Sequence, residues 1–239
     1  MWMQAFRKFG LKLSIGKTEY MKVGRGVEAE PLKLEDKELV YTDSFTYLGS
    51  KLESQNHMEA EILHRISKYT KNVAALYPLL REKSIPRKVK TSMYTTILRP
   101  TLIYGCETWI LTERLKSKLQ AAEMRTLRLI FGVTMRDRKR NVDIRKSLKV
   151  EPLILTIEKN ILRWYGHLMR MEPSRRVKQL ADWKPTGKRP VGRPRKRWKD
   201  GVQAILQRKN VSLTQAEALS QDRKLWRRLV HSLPTDRLT

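Results

Sequence analysis

The sequence predicts a mainly α protein with a small β portion at its N-terminus. Two observations carry that expectation. From Asn56 to Val230 apolar residues recur at helical spacing between recognisable start and stop residues. Alternating apolar and polar runs, the mark of strands, are short and fall between Lys17 and Gly49.

Taken in order, residues 2–9 read as the last turns of a helix. Trp2, Phe6 and Phe9 share one side, and Gly10 is the stop. A helix that begins at the first methionine and ends so soon implies a chain that starts inside something larger. Lys17–Val23 reads as a short strand. Pro31–Leu34 and Glu38–Tyr41 flank a polar turn and read as a hairpin, and Phe45–Gly49 as a further strand. Asn56 with Glu59 resembles a capping box for a helix with Ile62, Ile66, Tyr69, Val73 and Leu76 on one face, weakened at Pro78. Ser84 and Pro86 are expected as N-cap and first residue of a second helix that turns Val89, Met93 and Ile97 inward, with a kink or end at Pro100.

Thr112 caps a third helix, with Leu115, Leu119, Ala122, Leu127 and Ile130 inward and Gly132 closing it. Asn141 caps a short helix through Leu148. Pro152 starts another, with Leu153, Ile157, Ile161, Trp164 and Leu168 as its stripe. Trp198–Gln207 and Gln215–Val230 complete the chain, the latter with a break near Ser220.

Charge narrows the partner. The 239 residues carry a formal net charge of +27, self-repulsion that a polyanionic partner would relieve. Residues 1–120 hold 21 Lys/Arg and 13 Asp/Glu, whereas residues 121–239 hold 30 and 11. The binding surface is therefore expected in the second half, with nucleic acid as the partner. The most informative run is Lys188-Arg-Pro-Val-Gly-Arg-Pro-Arg-Lys-Arg-Trp-Lys-Asp200, seven bases with one acid. Pro190 and Pro194 exclude a regular helix there. Pro194 pushes Arg193 toward an extended backbone, and Gly192 lets the main chain approach a surface. The outcome is a thin cationic strip suited to a minor groove or a phosphate backbone. Lys188, Arg189, Gly192, Arg193, Pro194, Arg195, Lys196, Arg197 and Trp198 are its candidate binding residues. Trp183 and Trp198 bracket it as candidates for base stacking. The bland alternative is a solvated linker between two helices.

Other chemistry finds little support. Cys106 is the sole cysteine, so no disulfide framework or cysteine zinc knuckle forms, and its apolar surroundings suggest a buried structural thiol. His57, His64, His167 and His231 lack metal-ligand spacing, and His167 reads as a packed residue. Glu35-Asp36 reads as a solvated turn. Asp137, Asp143 and Asp200 stand among bases and read as ion-pair partners. Trp164 and Trp226, on helical stripes, read as core. Arg136–Arg140 is a loop that either contacts phosphate or is solvated. No apolar run approaches the length of a bilayer span, and the N-terminus lacks a signal peptide's apolar core. An intracellular protein is expected, nuclear given the basic clusters, with no membrane and no small-molecule ligand.

Six stretches add a resemblance. They are Gly10–Met21, Phe45-Thr-Tyr-Leu-Gly-Ser50, Leu98-Arg-Pro-Thr-Leu-Ile-Tyr-Gly-Cys-Glu-Thr-Trp109, Leu162-Arg-Trp-Tyr-Gly-His-Leu-Met-Arg-Met171, Gly192–Asp200 and Asp222-Arg-Lys-Leu-Trp-Arg227. In this order they resemble the carboxy-terminal part of a non-LTR (LINE-type, RTE-like) retrotransposon reverse transcriptase, and Gly192-Arg193-Pro194 is similar to the core of an AT-hook. The resemblance implies a remnant of the palm at residues 1–54, a helical thumb-like bundle at 55–135 and a basic helical tail at 136–239. It also implies a departure: the family's Asp-Asp motif is absent, and no adjacent Asp-Asp pair occurs anywhere in the chain. Two-metal polymerase chemistry needs clustered carboxylates, so catalytic and metal residues are expected to be none. No cofactor is expected; Mg²⁺ belongs to an intact polymerase. The implied function is a nucleic-acid-binding fragment of an RNA-directed DNA polymerase. The alternatives are a host-adopted DNA-binding or architectural protein, an enzymatic half completed by a partner that supplies fingers and palm, and a relic without selected function.

Overall fold

The computed structural model describes residues 2–23, 31–34, 37–55, 58–183, 192 and 196–232. The chain is mainly α, with short strands at its N-terminal end. It divides into two compact units, Met1–His64 and Arg65–Thr239. That division falls within the long helix that starts at Met58.

The first unit opens with α1 (Trp2–Lys8), and Gly10 follows it at φ 70°. The Lys17–Val23 strand shrinks to β1 (Glu19–Tyr20), because Ile15–Lys17 forms a 3₁₀ turn in which Thr18 Oγ1 donates to the Ser14 carbonyl. The proposed hairpin forms only in part. β2 (Lys33–Leu34) pairs antiparallel with β3 (Lys37–Glu38), while β4 (Val40–Tyr41) pairs parallel with β1. The Tyr20 and Tyr41 rings meet edge to face there, 5.4 Å apart. Glu35-Asp36 lies outside the described residues.

β5 (Ser44–Tyr47) and β6 (Ser50–Glu53) form an antiparallel hairpin in which Tyr47 opposes Ser50. Leu48 and Gly49 are its two-residue turn, both at positive φ. The Tyr-Leu-Gly stretch is thus a strand end plus turn, the geometry that glycine favours and leucine resists. None of the described residues before Glu61 is fully buried. Phe9, Leu48 and Tyr47 are among the exposed apolar side chains, so these strand pairs do not enclose a core of their own.

The helical path begins at α2 (Met58–Arg81). Ile62 and Tyr69 are buried on its expected face, and Leu80 extends that face beyond Pro78. Pro78 does not stop the helix, which continues to Arg81. The proposed cap residue Asn56 lies outside the described residues.

The next helix requires two corrections. Ser84 does not cap it: its N–H and hydroxyl both donate to Glu82 Oε1, and Pro86 stands at the N-cap of α3 (Arg87–Met93). The face is also rotated. Val89 and Ile97 are about half exposed, whereas Lys90, Tyr94, Leu98 and Leu102 are buried. Polar Tyr94 goes inward because its hydroxyl finds a buried acceptor, Glu123 Oε1, at 2.8 Å. A π-turn at Tyr94–Leu98 leads into α4 (Arg99–Ile103). Proline provides no N–H and crowds the carbonyl four residues earlier, so the wider turn ahead of Pro100 relieves a clash that a continuous α-helix would suffer.

α5 (Glu113–Phe131) follows the sequence closely. Thr112 Oγ1 accepts from Leu115 N–H, the five expected residues are buried, and Gly132 closes the helix at φ 82°. α6 (Asn141–Leu148) has Arg140, not Asn141, at its N-cap; the Asn141 side chain instead accepts from Arg128 Nη2 at 2.7 Å. Asp137 and Asp200 are not ion-pair partners first of all. Asp137 Oδ2 accepts from the N–H and hydroxyl of Thr134, and Asp200 Oδ2 from Arg197 N–H.

α7 (Leu153–Met169) is the hub. Leu153, Ile157, Ile161, Leu162, Tyr165 and Leu168 are buried, each contributing about 1.5–3 kcal/mol where a large apolar side chain leaves water. Around it pack the 3₁₀ turn Cys106–Thr108, α5, α8 (Arg176–Asp182), α9 (Trp198–Gln207), α10 (Leu213–Gln221) and α11 (Arg223–His231). Trp164, expected in the stripe, is half-buried and lies beside the exposed His167, ring centroids 5.4 Å apart. Ser212 and Gln215 form the capping box of α10, and Asp222 accepts from Lys224 and Leu225 N–H to start α11, so the break falls at Asp222.

Candidate nucleic-acid interface

The cationic strip lies between α8 and α9. Lys188, Arg189, Arg193, Pro194 and Arg195 fall outside the described residues. Gly192 is exposed at φ 106°, and a Cβ there would meet nothing within 4 Å. Its glycine is explained by backbone conformation, not by close approach to another part of the fold.

The C-terminal end of the strip is held by the helical unit. Asp182, the last residue of α8, accepts from Lys199 Nζ at 2.9 Å and lies 3.4 Å from Lys178. The Lys199 hydrogen bond, followed by its charge and that of Lys178, holds the Asp182 carboxyl below the usual range. The pair spans 17 positions of sequence and links the end of α8 to the first turn of α9. On the C-terminal side Lys196 Nζ donates to the Leu111 carbonyl at 3.2 Å. Trp198 Nε1 donates to the Glu107 carbonyl at 2.8 Å, and its half-buried ring lies 6.4 Å from that of Tyr165. The two tryptophans therefore differ: Trp198 is built into the fold, whereas Trp183 is 65% exposed. Arg197 is exposed at the start of α9.

Tyr165 is where separate sequence motifs meet. Its ring lies 5.6 Å from that of Trp226 as well as near Trp198. Cys106, from the Leu98–Trp109 stretch, accepts from Asn160 Nδ2 of α7 at 3.4 Å. Three of the six stretches that carry the family resemblance thus converge on α7, which itself holds most of a fourth. Cys106 is fully buried, and burial pushes its thiol up to about 12, which makes it an inert core residue. Among the described residues, no three His, Cys, Asp or Glu side chains cluster as a metal site would require, and no helix is long and apolar enough to cross a membrane.

A second group of cations lies on the outer faces of α7 and α11: Arg163, His167 and Arg170 on one, Arg223, Arg227 and His231 on the other. The sequence reading did not single these out as a site. Their signal was present as bases spaced by three and four residues on the polar sides of two helices, but only tertiary packing brings the stripes together.

Comparison with known proteins gives one informative similarity. A Caenorhabditis elegans protein named as uncharacterized and transposon-derived is 26% identical over 237 residues, covering 93% of this chain and 84% of the relative. That similarity supports a transposon origin for the chain. No family model matches it, and no solved structure matches it.

Proposed function

We propose that the chain is a nucleic-acid-binding, carboxy-terminal part of a retrotransposon RNA-directed DNA polymerase. It has no catalytic role of its own, and it acts in the nucleus. The cationic run carries the reading: Lys188, Arg189, Arg193 and Arg195 lie in sequence between Asp182 and Lys199, which pair with one another. The net charge of +27, the order of the six motifs and the transposon-derived relative support it. In this reading the strand pairs before residue 54 derive from a palm, and the helices from a thumb and tail. Contacts are mainly to the phosphate backbone, on DNA or RNA. Polymerase activity would require a partner that supplies the missing carboxylates.

The test is salt-dependent binding to duplex DNA and to RNA. If three phosphates are lost, Arg193→Ala/Arg195→Ala/Arg197→Ala should make the log–log salt slope on duplex DNA shallower by about 2.7. Unchanged affinity and slope would reduce the run to a linker. The purified chain is also expected not to extend a primer on an RNA template with Mg²⁺ or Mn²⁺. The Gly192-Arg193-Pro194 core favours one second reading, a host-adopted DNA binder. That reading requires a preference for A·T-rich duplex that Arg193→Lys removes, because lysine keeps the charge but loses the planar guanidinium.

A further inference from the structure

α7 and α11 pack antiparallel along one side of the helical unit. At one end Arg163 Nη2 lies 3.4 Å from His231 Nε2. In the middle Trp226 Nε1 donates to the Leu162 carbonyl. At the other end burial, and then the charge of the nearby Arg223, lower the affinity of Arg170 for its proton. Between the helices runs an open groove of about 590 Å³ with Trp226 and Val230 as its floor.

The walls of this groove are cationic throughout. α7 provides Arg163, His167 and Arg170, and α11 provides Arg223, Arg227 and His231. Among the described residues no Asp or Glu lines it. The nearest acidic influence, Glu151 on His231, comes from a carboxylate already paired with Lys159. The groove-lining Arg223, Arg227 and His231 of α11 are four residues apart, a rise of about 6 Å each, so they lie at regular intervals along a line. Two arginines are positioned by the fold: Arg170 Nη1 donates to the Ser220 carbonyl at 2.6 Å, and Arg163 Nη1 to Asn160 Oδ1 at 3.1 Å. Arg223 and Arg227 are exposed and have no ion-pair partner among the described residues.

Packing four arginines around one groove without an acid costs like-charge repulsion that an anion would offset. A flat basic surface would be well solvated. This groove too is open, and Arg163, Arg223 and Arg227 on its walls are solvent-exposed, so its attraction for a chain of negative charges weakens with added salt. Trp226 is buried beneath the groove and offers no stacking face, so the groove suits phosphates and not bases.

We infer that the groove between α7 and α11 is a second nucleic-acid site, which holds a stretch of phosphodiester backbone through Arg163, Arg223 and Arg227 independently of the strip at Lys188–Trp198. This inference rests on the nucleic-acid-binding reading and adds a surface to it.

The experiment compares the full chain with Arg223→Gln/Arg227→Gln and with the strip triple-alanine variant, on a fluorescent duplex over a series of salt concentrations. Both groove arginines are exposed, and circular dichroism with thermal melting checks that the fold is retained. The groove variant is expected to bind more weakly, with a slope shallower by about 1.8 for two lost phosphate contacts. Protection of Arg223 and Arg227 from phenylglyoxal by bound duplex is the second expected readout. Unchanged affinity and slope in the groove variant, together with loss in the strip variant, would overturn the groove and leave nucleic-acid binding intact. No binding of the full chain to DNA or RNA would overturn both. Binding to phosphatidylserine vesicles that the groove variant loses, with duplex binding unaltered, would assign the groove to a lipid surface and overturn the inference.

Discussion

Trp226 lies directly over the main chain of Gly166. A Cβ at residue 166 would come within 2.1 Å of Trp226 Nε1 and 2.5 Å of Cδ1, while the same Nε1 donates to the Leu162 carbonyl at 3.0 Å. Glycine in a helix interior costs roughly 0.5–1 kcal/mol relative to alanine, so propensity alone would favour Gly166→Ala. The contact reverses that sign, because a rigid indole cannot swing away as a flexible side chain would. Gly166→Ala is expected to destabilise the fold by about 1–3 kcal/mol in urea denaturation. Trp226→Phe should lose the hydrogen bond, about 1 kcal/mol, with an additional cavity cost. The double variant should be less destabilised than the sum, since the smaller ring makes room for the methyl group. Simple additivity, or a more stable Gly166→Ala, would show that α11 does not rest on α7 in this way.

Glu123 is the fully buried acid of the helical unit. Its Oε2 lies 2.7 Å from Arg145 Nη2, and its Oε1 accepts from the Tyr94 hydroxyl at 2.8 Å with Arg99 Nη2 at 3.8 Å. Arg99 also donates to the Glu151 carbonyl at 2.7 Å, which ties α4 to the start of α7. Burial, then the Glu123 charge, pushes the Tyr94 hydroxyl well above its ordinary range, so it remains a donor to the carboxylate at any working pH. Glu123→Ala leaves two largely buried guanidinium groups without their acid and should cost about 3–5 kcal/mol. Glu123→Gln retains a hydrogen-bond acceptor for Tyr94 and should cost less. Equal losses in the two variants would mean that volume, not charge compensation, governs this position.

The same cluster shows where the sequence was readable and where it was not. α5 and α9 could be placed from local features, because Thr112, Gly132 and the Trp198–Gln207 stripe act within a turn or two of the residues they organise. The inward face of α3 could not. Tyr94 and Glu123 are polar, yet both are buried through a hydrogen bond to each other across 29 positions of sequence. Val89 and Ile97, apolar and correctly spaced, were left half exposed in consequence. The parallel pairing of Glu19–Tyr20 with Val40–Tyr41 is similarly non-local. In the candidate site, the cationic composition and the helix start at Trp198 were legible. The pairing of Asp182 with Lys199, the anchoring of Trp198 on Glu107 and the convergence of the α7 and α11 stripes depend on packing that no local pattern encodes.

The last prediction concerns pH. His231 is held below the ordinary histidine value of 6.5, first by burial and then by the charges of Arg163, Lys159 and Arg227, with Glu151 opposing. Arg170, Arg223 and His167 line the same groove. A histidine whose folded pKa lies below its unfolded value binds fewer protons when folded. Its contribution is therefore undiminished above about pH 6.5 and is lost as pH falls through the window beneath that value. A bound phosphate reverses the balance, since it provides the counter-charge that the groove lacks. Nucleic-acid affinity at constant ionic strength is accordingly expected to rise as pH falls from about 7.5 to about 5.5, across the range where histidine gains its proton. His231→Gln should flatten that rise while retaining binding at neutral pH, because Arg223 and Arg227 still carry their charges. Fluorescence anisotropy across the pH series measures both. A rise that persists in full in His231→Gln would move the titration away from His231, and a fall in affinity on acidification would contradict the assigned sign.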